Sequence, residues 1–267
     1  MYDGLHFYLI SFFKTLKIVD FLHYIFFFDI YNEADILYLF MLRYKNMRIK
    51  LLTNDNIIFT KNKFVSIDNF INIEVLIIYT NIKKFKMRSF KLMNLKYVFI
   101  LPGLNNLSIS LFDRCNKLKK IYIDNTVKII NKSCFSNCSS LINIRLPNEL
   151  FDIPIMCFEN CIKLEYIKLP NNLVAIDSWA FSGCLKLNNL IIPKTVKHIY
   201  TRAFNWCESI NKLIIPKYIE NLHNECIYNT NFNKLFIPNK FNDKNRLLER
   251  IFGSNYKILL PNVIFYL

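Results

Sequence analysis

Four segments of the chain share one template. FSNCSSLINIRLP begins at Phe135, FENCIKLEYIKLP at Phe158, FSGCLKLNNLIIP at Phe181 and FNWCESINKLIIP at Phe204. Their starts are evenly spaced, and each reads Phe-x-x-Cys-x-x-Leu-x-x-Ile-x-Ile-Pro with conservative swaps. An apolar residue follows three places after each Pro (Leu150, Leu173, Val196, Ile219), and another six places after it (Ile153, Ile176, Ile199, Leu222). A unit this short cannot bury its own apolar positions, so the units must stack and share a continuous core. The Leu-x-x-Ile-x-Ile stretch alternates at its end as a short strand does, and Pro closes it where no ladder donor is needed. The expected architecture is therefore a solenoid whose equivalent strands lie about 4.8 Å apart.

Weaker copies extend the array. FDRCNKLKKIYID from Phe112 carries Asp124 in the Pro slot, and Ile227, Phe232, Leu235, Ile237 and Pro238 fit after a one-residue deletion. A last copy is expected to end Ile258, Leu260, Pro261, and decayed copies run upstream through Phe90–Pro102 and Ile67–Tyr79. The unit resembles the BspA-type leucine-rich repeat, found in bacterial surface proteins and in some protists and viruses. That resemblance implies an α+β repeat fold: a leucine-rich-repeat solenoid of about 22- to 23-residue coils with short parallel strands. One departure stands out. The family often places Gly after the turn isoleucine, where this chain has Asn131, Pro154, Asp177 and Tyr200. The expected organisation is a helical cap or adaptor segment over 1–50 and a solenoid of about eight or nine coils over 51–267.

The core columns follow from the register. Phe112, Phe135, Phe158, Phe181 and Phe204 should form one, and Leu118, Leu141, Leu164, Leu187 and Ile210 another. The eight cysteines fall into two further slots. Cys115, Cys138, Cys161, Cys184 and Cys207 occupy the Cys position of the template. Cys134, Cys157 and Cys226 share a small-residue position that Ala180 and Ala203 fill elsewhere. Cys134-x3-Cys138 and Cys157-x3-Cys161 look like metal-binding pairs, but packing as small hydrophobes explains all eight. Neither a metal nor a disulfide framework is expected, and a thiol ladder suits a reducing compartment.

No catalytic constellation is legible: there is no Gly-rich phosphate loop, no G-x-S-x-G, and no paired carboxylates at a recurrent position. His6, His23, His198 and His223 belong to no ligand or nucleophile signature. A non-enzymatic protein without cofactors is expected. No uncharged apolar run is long enough to span a bilayer, and no signal peptide is evident, which favours a cytoplasmic location over the cell surface that the resemblance permits. The net charge of +15 accompanies many Lys, Asn, Ile and Phe, the signature of an AT-rich coding sequence. It still implies weak, salt-dependent attraction to polyanions.

Solenoids recognise partners on their strand face, so the outward strand residues are the expected binding set. In chain order one column runs Ile77, Phe99, Tyr122, Arg145, Lys168, Ile191, Ile214, Phe236 and Leu259. Two places earlier a second runs Lys120, Asn143, Tyr166, Asn189, Lys212, Lys234 and Lys257. Arg145 and Lys168 mark the middle coils, while Ile191, Ile214, Phe236 and Leu259 make an apolar patch rimmed by lysines, the make-up of a protein-binding face.

Residues 1–50 break the repeat. NEADILYLFMLRYKNM from Asn32 has a capping residue, early acids and late cations, which predicts a helix capping the first coil. The pattern Leu22, Ile25, Phe28, Asp29, Ile30, Asp35, Ile36 and Leu37 loosely resembles an F-box-like adaptor, though the Leu-Pro start is missing. The function expected is a protein–protein interaction module. The alternatives are an adaptor presenting a bound protein for ubiquitination, and adhesion or polyanion binding at the cell surface.

Overall fold

The computed structural model describes residues 49–52, 73–78, 85, 87–91, 93–230, 232–253 and 263–267. Ile49 apart, these belong to one compact unit, Lys50–Leu267. The helix expected from Asn32, the N-terminal cap and the adaptor-like pattern lie outside the described residues.

The strand expected at the end of the template forms in every described copy but the one starting at Phe181. One sheet contains β1 (Ile49–Leu52), β2 (Val75–Ile78), β3 (Tyr97–Ile100), β5 (Lys120–Ile123), β7 (Asn143–Arg145) and β9 (Tyr166–Lys168), in that spatial order, with β2 to β9 parallel. Its registers, such as Asn143↔Tyr166 and Ile144↔Ile167, match the repeat step of the sequence. The apolar residue six places after the Pro slot (five in the case of Pro102 and Leu107) seeds a second strand of two residues. These are β4 (Asn106–Leu107) with β6 (Ile129–Ile130), then β8 (Asp152–Ile153), β10 (Ala175–Ile176), β11 (His198–Ile199) and β13 (Asn221–Leu222). Past residue 210 the main face continues as β12 (Lys212–Ile214), β14 (Lys234–Pro238) and β15 (Val263–Tyr266).

Both expected core columns are fully buried. The Phe rings lie nearly parallel, with centroids 5.7 Å apart for Phe112–Phe135, 5.4 Å for Phe135–Phe158 and for Phe158–Phe181, and 5.6 Å for Phe181–Phe204. Phe90 adds a further ring, 5.3 Å from Phe112. Offset stacking of this kind adds about 0.5–1.5 kcal/mol per pair beyond simple burial.

The segment that carries the Phe has an unusual backbone. The N–H groups of Ser133, Phe135 and Asn137 donate to the carbonyls of Ile155, Cys157 and Glu159 one coil on, at 2.9, 2.9 and 2.7 Å. Those of Cys134, Ser136 and Cys138 turn back to Asn131, Ser133 and Phe135. Successive donors thus alternate between neighbour coil and own coil, and none is orphaned. The alternation requires two left-handed residues per coil. Ser110, Ser133, Met156, Trp179, Arg202 and Glu225 form one positive-φ series, and Arg114, Asn137, Asn160, Gly183, Trp206 and Asn229 the other. Left-handed geometry costs a residue with a Cβ about 1–2 kcal/mol, which the inter-coil ladder must offset. Only Gly183 escapes that cost, and a Cβ there would also collide with the Asn160 side-chain oxygen. Asn131, Pro154, Asp177 and Tyr200 do not adopt positive φ. The chain therefore needs no glycine where the family often has one.

The cysteine slots have distinct jobs. In the template slot each thiol donates to the Phe carbonyl of the preceding coil: Cys138 to Phe112 at 3.3 Å, Cys161 to Phe135 at 3.2 Å, Cys184 to Phe158 and Cys207 to Phe181 at 3.1 Å each. One coil further on Thr230 fills the slot, and its hydroxyl donates to the Phe204 carbonyl at 3.0 Å. The slot thus asks for a small side chain with a donor, and sulfur chemistry is not what it selects. All eight cysteines are buried free thiols. Burial pushes every one of them upward, Cys115 and Cys226 to about 12.

The last part of the array departs from the expected copy. Instead of a further plain coil, α1 (Lys244–Phe252) forms, capped by Asp243, whose carboxylate accepts from the Arg246 N–H at 2.9 Å. Leu247, Leu248, Ile251 and Phe252 are buried against the core. Residues Glu225 and Ile227 extend the turn ladder onto Arg250 and Ile251 of this helix. Ile258, Leu260 and Pro261, expected to close a last copy, lie outside the described residues; the strand observed is β15.

Candidate binding face

Strands β5, β7, β9, β12 and β14 show the expected alternation. Ile121, Ile144, Ile167, Leu213 and Leu235 point into the core. On the outward side Arg145, Tyr166, Lys168, Lys212, Ile214 and Lys234 are exposed, and Tyr122 and Phe236 are half-buried. Ile191 is 81% exposed and Ile214 47%.

Two expectations about this face change. Ile77 and Phe99 occupy outward positions but are buried, at 3% and 6% exposure, and neither belongs to the main core cluster. The accessible face therefore begins at β5. At the other end Leu259 and Lys257 fall outside the described residues, and the register sets Ile264 opposite Phe236. The inserted helix lengthens this coil relative to the one before it, which moves the outward position past the place where the repeat step would put it. Ile264 is 40% exposed and extends the apolar column. The signal for the helix was present in DKNRLLERIFG, with a capping Asp, buried-face spacing of Leu247, Leu248, Ile251 and Phe252, and a terminal Gly.

Between β9 and β12 the sheet ladder lapses. Asn189 is left-handed at φ 46°, and Asn189–Ile192 form no strand, although Leu190 and Ile192 remain buried. Among the described residues the backbone N–H groups of Asn189, Leu190, Ile191 and Ile192 find no backbone acceptor. Amide exchange of Leu190 and Ile191 should consequently run at least tenfold faster than that of Ile144, Ile167 and Leu213. Equal protection across the five, read by NMR or mass spectrometry, would show a continuous ladder.

Five of the outward residues on β5, β7, β9, β12 and β14 are cations (Lys120, Arg145, Lys168, Lys212, Lys234), and none is an acid. Arg145, Lys168 and Lys234 make no ion pair among the described residues, and Lys212 Nζ sits 5.3 Å from the Phe236 ring centroid. Some carboxylates elsewhere are engaged: Glu220 pairs with Lys197 at 2.8 Å and Glu225 with Arg202 at 2.6 Å. Both repeat histidines are structural. His198 meets Asn221 at 3.1 Å, and the His223 ring stacks on Tyr200 at 4.5 Å, where partial burial lowers its pKa. Among the described residues no cluster of His, Cys, Asp and Glu is arranged to hold a metal ion. No helix among them is long and apolar enough to cross a membrane.

A second surface feature was not legible in the sequence. Turn residues after the Pro positions make a shallow groove of about 540 Å³ lined by Phe151, Val174, Thr195 and Tyr218, among others. It shares Tyr218 and Lys197 with a neighbouring groove of about 660 Å³.

A family model described as BspA type leucine-rich repeat region matches the chain in six copies, over residues 59–161 and 130–255. No curated protein matches it. Among solved structures, a leucine-rich repeat protein from Eubacterium ventriosum is 20% identical with a TM-score of 0.57; the match covers 70% of this chain and 52% of that one. The leucine-rich repeat protein of T. pallidum is 19% identical with a TM-score of 0.54, covering 79% of this chain and 95% of that one. The chain spans about half the length of the Eubacterium protein, and identity at this level speaks for the fold alone.

Proposed function

The chain belongs to the BspA-type leucine-rich repeat family, and from that premise we propose that it is a non-enzymatic protein-binding module recognising its partner on the outward face of β5, β7, β9, β12 and β14. The observation that carries this reading is the row Ile214, Phe236 and Ile264, paired across β12, β14 and β15, with the exposed Ile191 in the coil before it; none of the four belongs to the main core, and Lys212 and Lys234 flank the row. Contiguous exposed apolar residues with a polar rim are what a recognition surface presents. The eight buried thiols support a reducing compartment, hence a cytoplasmic site of action.

The test is affinity capture from the native cell with wild type beside Ile214→Asp, Phe236→Asp. The double variant should lose the captured protein, because a carboxylate in each apolar contact must be desolvated on binding. Its melting temperature should stay within a few degrees of wild type, since both side chains lie outside the main core cluster. Unchanged capture would remove this face from the function, and an unfolded variant would show that the face is part of the core.

A further inference from the structure

The outward column has a direction. In chain order it reads Arg145 and Lys168 on the paired β7 and β9, Ile191 where the ladder lapses, then Ile214, Phe236 and Ile264 on the paired β12, β14 and β15, so two cations precede four apolar side chains. Paired positions within each sheet lie about 4.8 Å apart, and six coils at that step span about 24 Å.

Resting on the strand-face reading above, we infer that this column receives an amphipathic α-helix of the partner, with acidic residues at the end lying over Arg145 and Lys168. The spacing is the first argument. A helix laid along the column presents one side chain per turn on a given face, about every 5.4 Å, close to one per coil. Over the four apolar coils the mismatch accumulates to only about 2 Å, which side-chain rotamers absorb. An extended segment presents same-face side chains about every 6.6–6.8 Å and loses phase with the coils after two contacts. A helix of about 16 residues covers the whole column, with apolar residues at three-four spacing as in other helix-in-groove complexes.

Charge supplies the second argument. Among the described residues Arg145, Lys168 and Lys234 lack counter-ions within the chain, and no carboxylate occupies an outward position on β5, β7, β9, β12 or β14. A basic or neutral helix would bring like charges or bare apolar surface to these cations. Acidic side chains there would pair with Arg145 in the bidentate geometry guanidinium favours. The break in the sheet lies between the two cations and the paired apolar residues, where Ile191 is 81% exposed.

The probe is a fluorescent synthetic peptide matched to the column, about 16 residues long, with leucines at three-four spacing and glutamates grouped at one end. It is titrated against the full chain by anisotropy. Saturable binding is expected, weakened at least tenfold by Arg145→Glu with Lys168→Glu and, separately, by Ile214→Asp. Two control peptides should bind at least tenfold more weakly: one with a central proline that breaks the helix, and one with lysine for each glutamate. Equal binding of the proline peptide would overturn the helical geometry, and equal binding of the lysine peptide would overturn the charge assignment. Tight, steeply salt-dependent heparin binding together with peptide binding that Ile214→Asp leaves unchanged would assign the face to polyanions and overturn the inference. If no peptide binds while the Ile214→Asp, Phe236→Asp variant still loses its captured protein, the helix inference fails and the strand-face function survives.

Discussion

Phe158→Ala should destabilise the solenoid by about 3–5 kcal/mol, the cost of emptying a fully enclosed aromatic site. Phe158 has no exposed surface and lies between Phe135 and Phe181 with centroids at 5.4 Å on each side. Truncation removes two stacking contacts at once and leaves a void whose walls are the neighbouring coils. A repeat array is held by nearest-neighbour interfaces, so the weakened one divides it. Urea unfolding should therefore show a lower midpoint together with a lower m-value, because the two halves then unfold less cooperatively. Phe151→Ala provides the comparison: that ring is 62% exposed on the turn side, and its loss should change stability by less than about 0.5 kcal/mol. A cost below about 1 kcal/mol for Phe158→Ala would mean that the Phe column is not the spine of the core.

The features legible in the sequence are those that every coil repeats. Phe135, Leu141 and Ile144 meet their own equivalents above and below, so the stacking requirement writes itself into the spacing. The face was legible for the same reason, since Arg145, Lys168 and Ile214 alternate with residues that must be buried. The left-handed positions were not legible. Ser133, Met156, Trp179 and Arg202 share a backbone state but no side-chain property, because the inter-coil ladder imposes their φ. The C-terminal helix lies within a coil that the repeat step alone treats as ordinary, although Asp243 and Gly253 delimit it in the sequence. Burial of Ile77 and Phe99 depends on surroundings that no local pattern encodes. Asn189 resembles Asn143, which sits in a regular strand, so the lapse between β9 and β12 has no one-residue signature.

Raising the pH should unfold this protein far more steeply than an ordinary domain of its size. All eight thiols are buried, and burial holds each well above the value of 9.0 expected for an exposed cysteine. Above about pH 9 the unfolded chain releases these protons while the native chain keeps them. The native state then binds more protons, and stability falls by about 1.4 kcal/mol per pH unit for each thiol. Below the unfolded value the thiols contribute no pH dependence and their stabilisation is fully present. By about pH 10 the eight together remove on the order of 10 kcal/mol, comparable to the whole stability of a typical domain. Urea midpoints between pH 7.5 and pH 10.5 should trace this fall. The array supplies its own control, since Ala180 and Ala203 already fill one cysteine slot and Thr230 the other. A variant with Ala at Cys134, Cys157 and Cys226 and Thr at the remaining five should keep the fold, retain the donor to each Phe carbonyl, and show a nearly flat profile over the same range. A wild-type profile as flat as the variant's would mean that the thiols reach solvent in the folded chain, and with that the stacked columns would lose their physical basis.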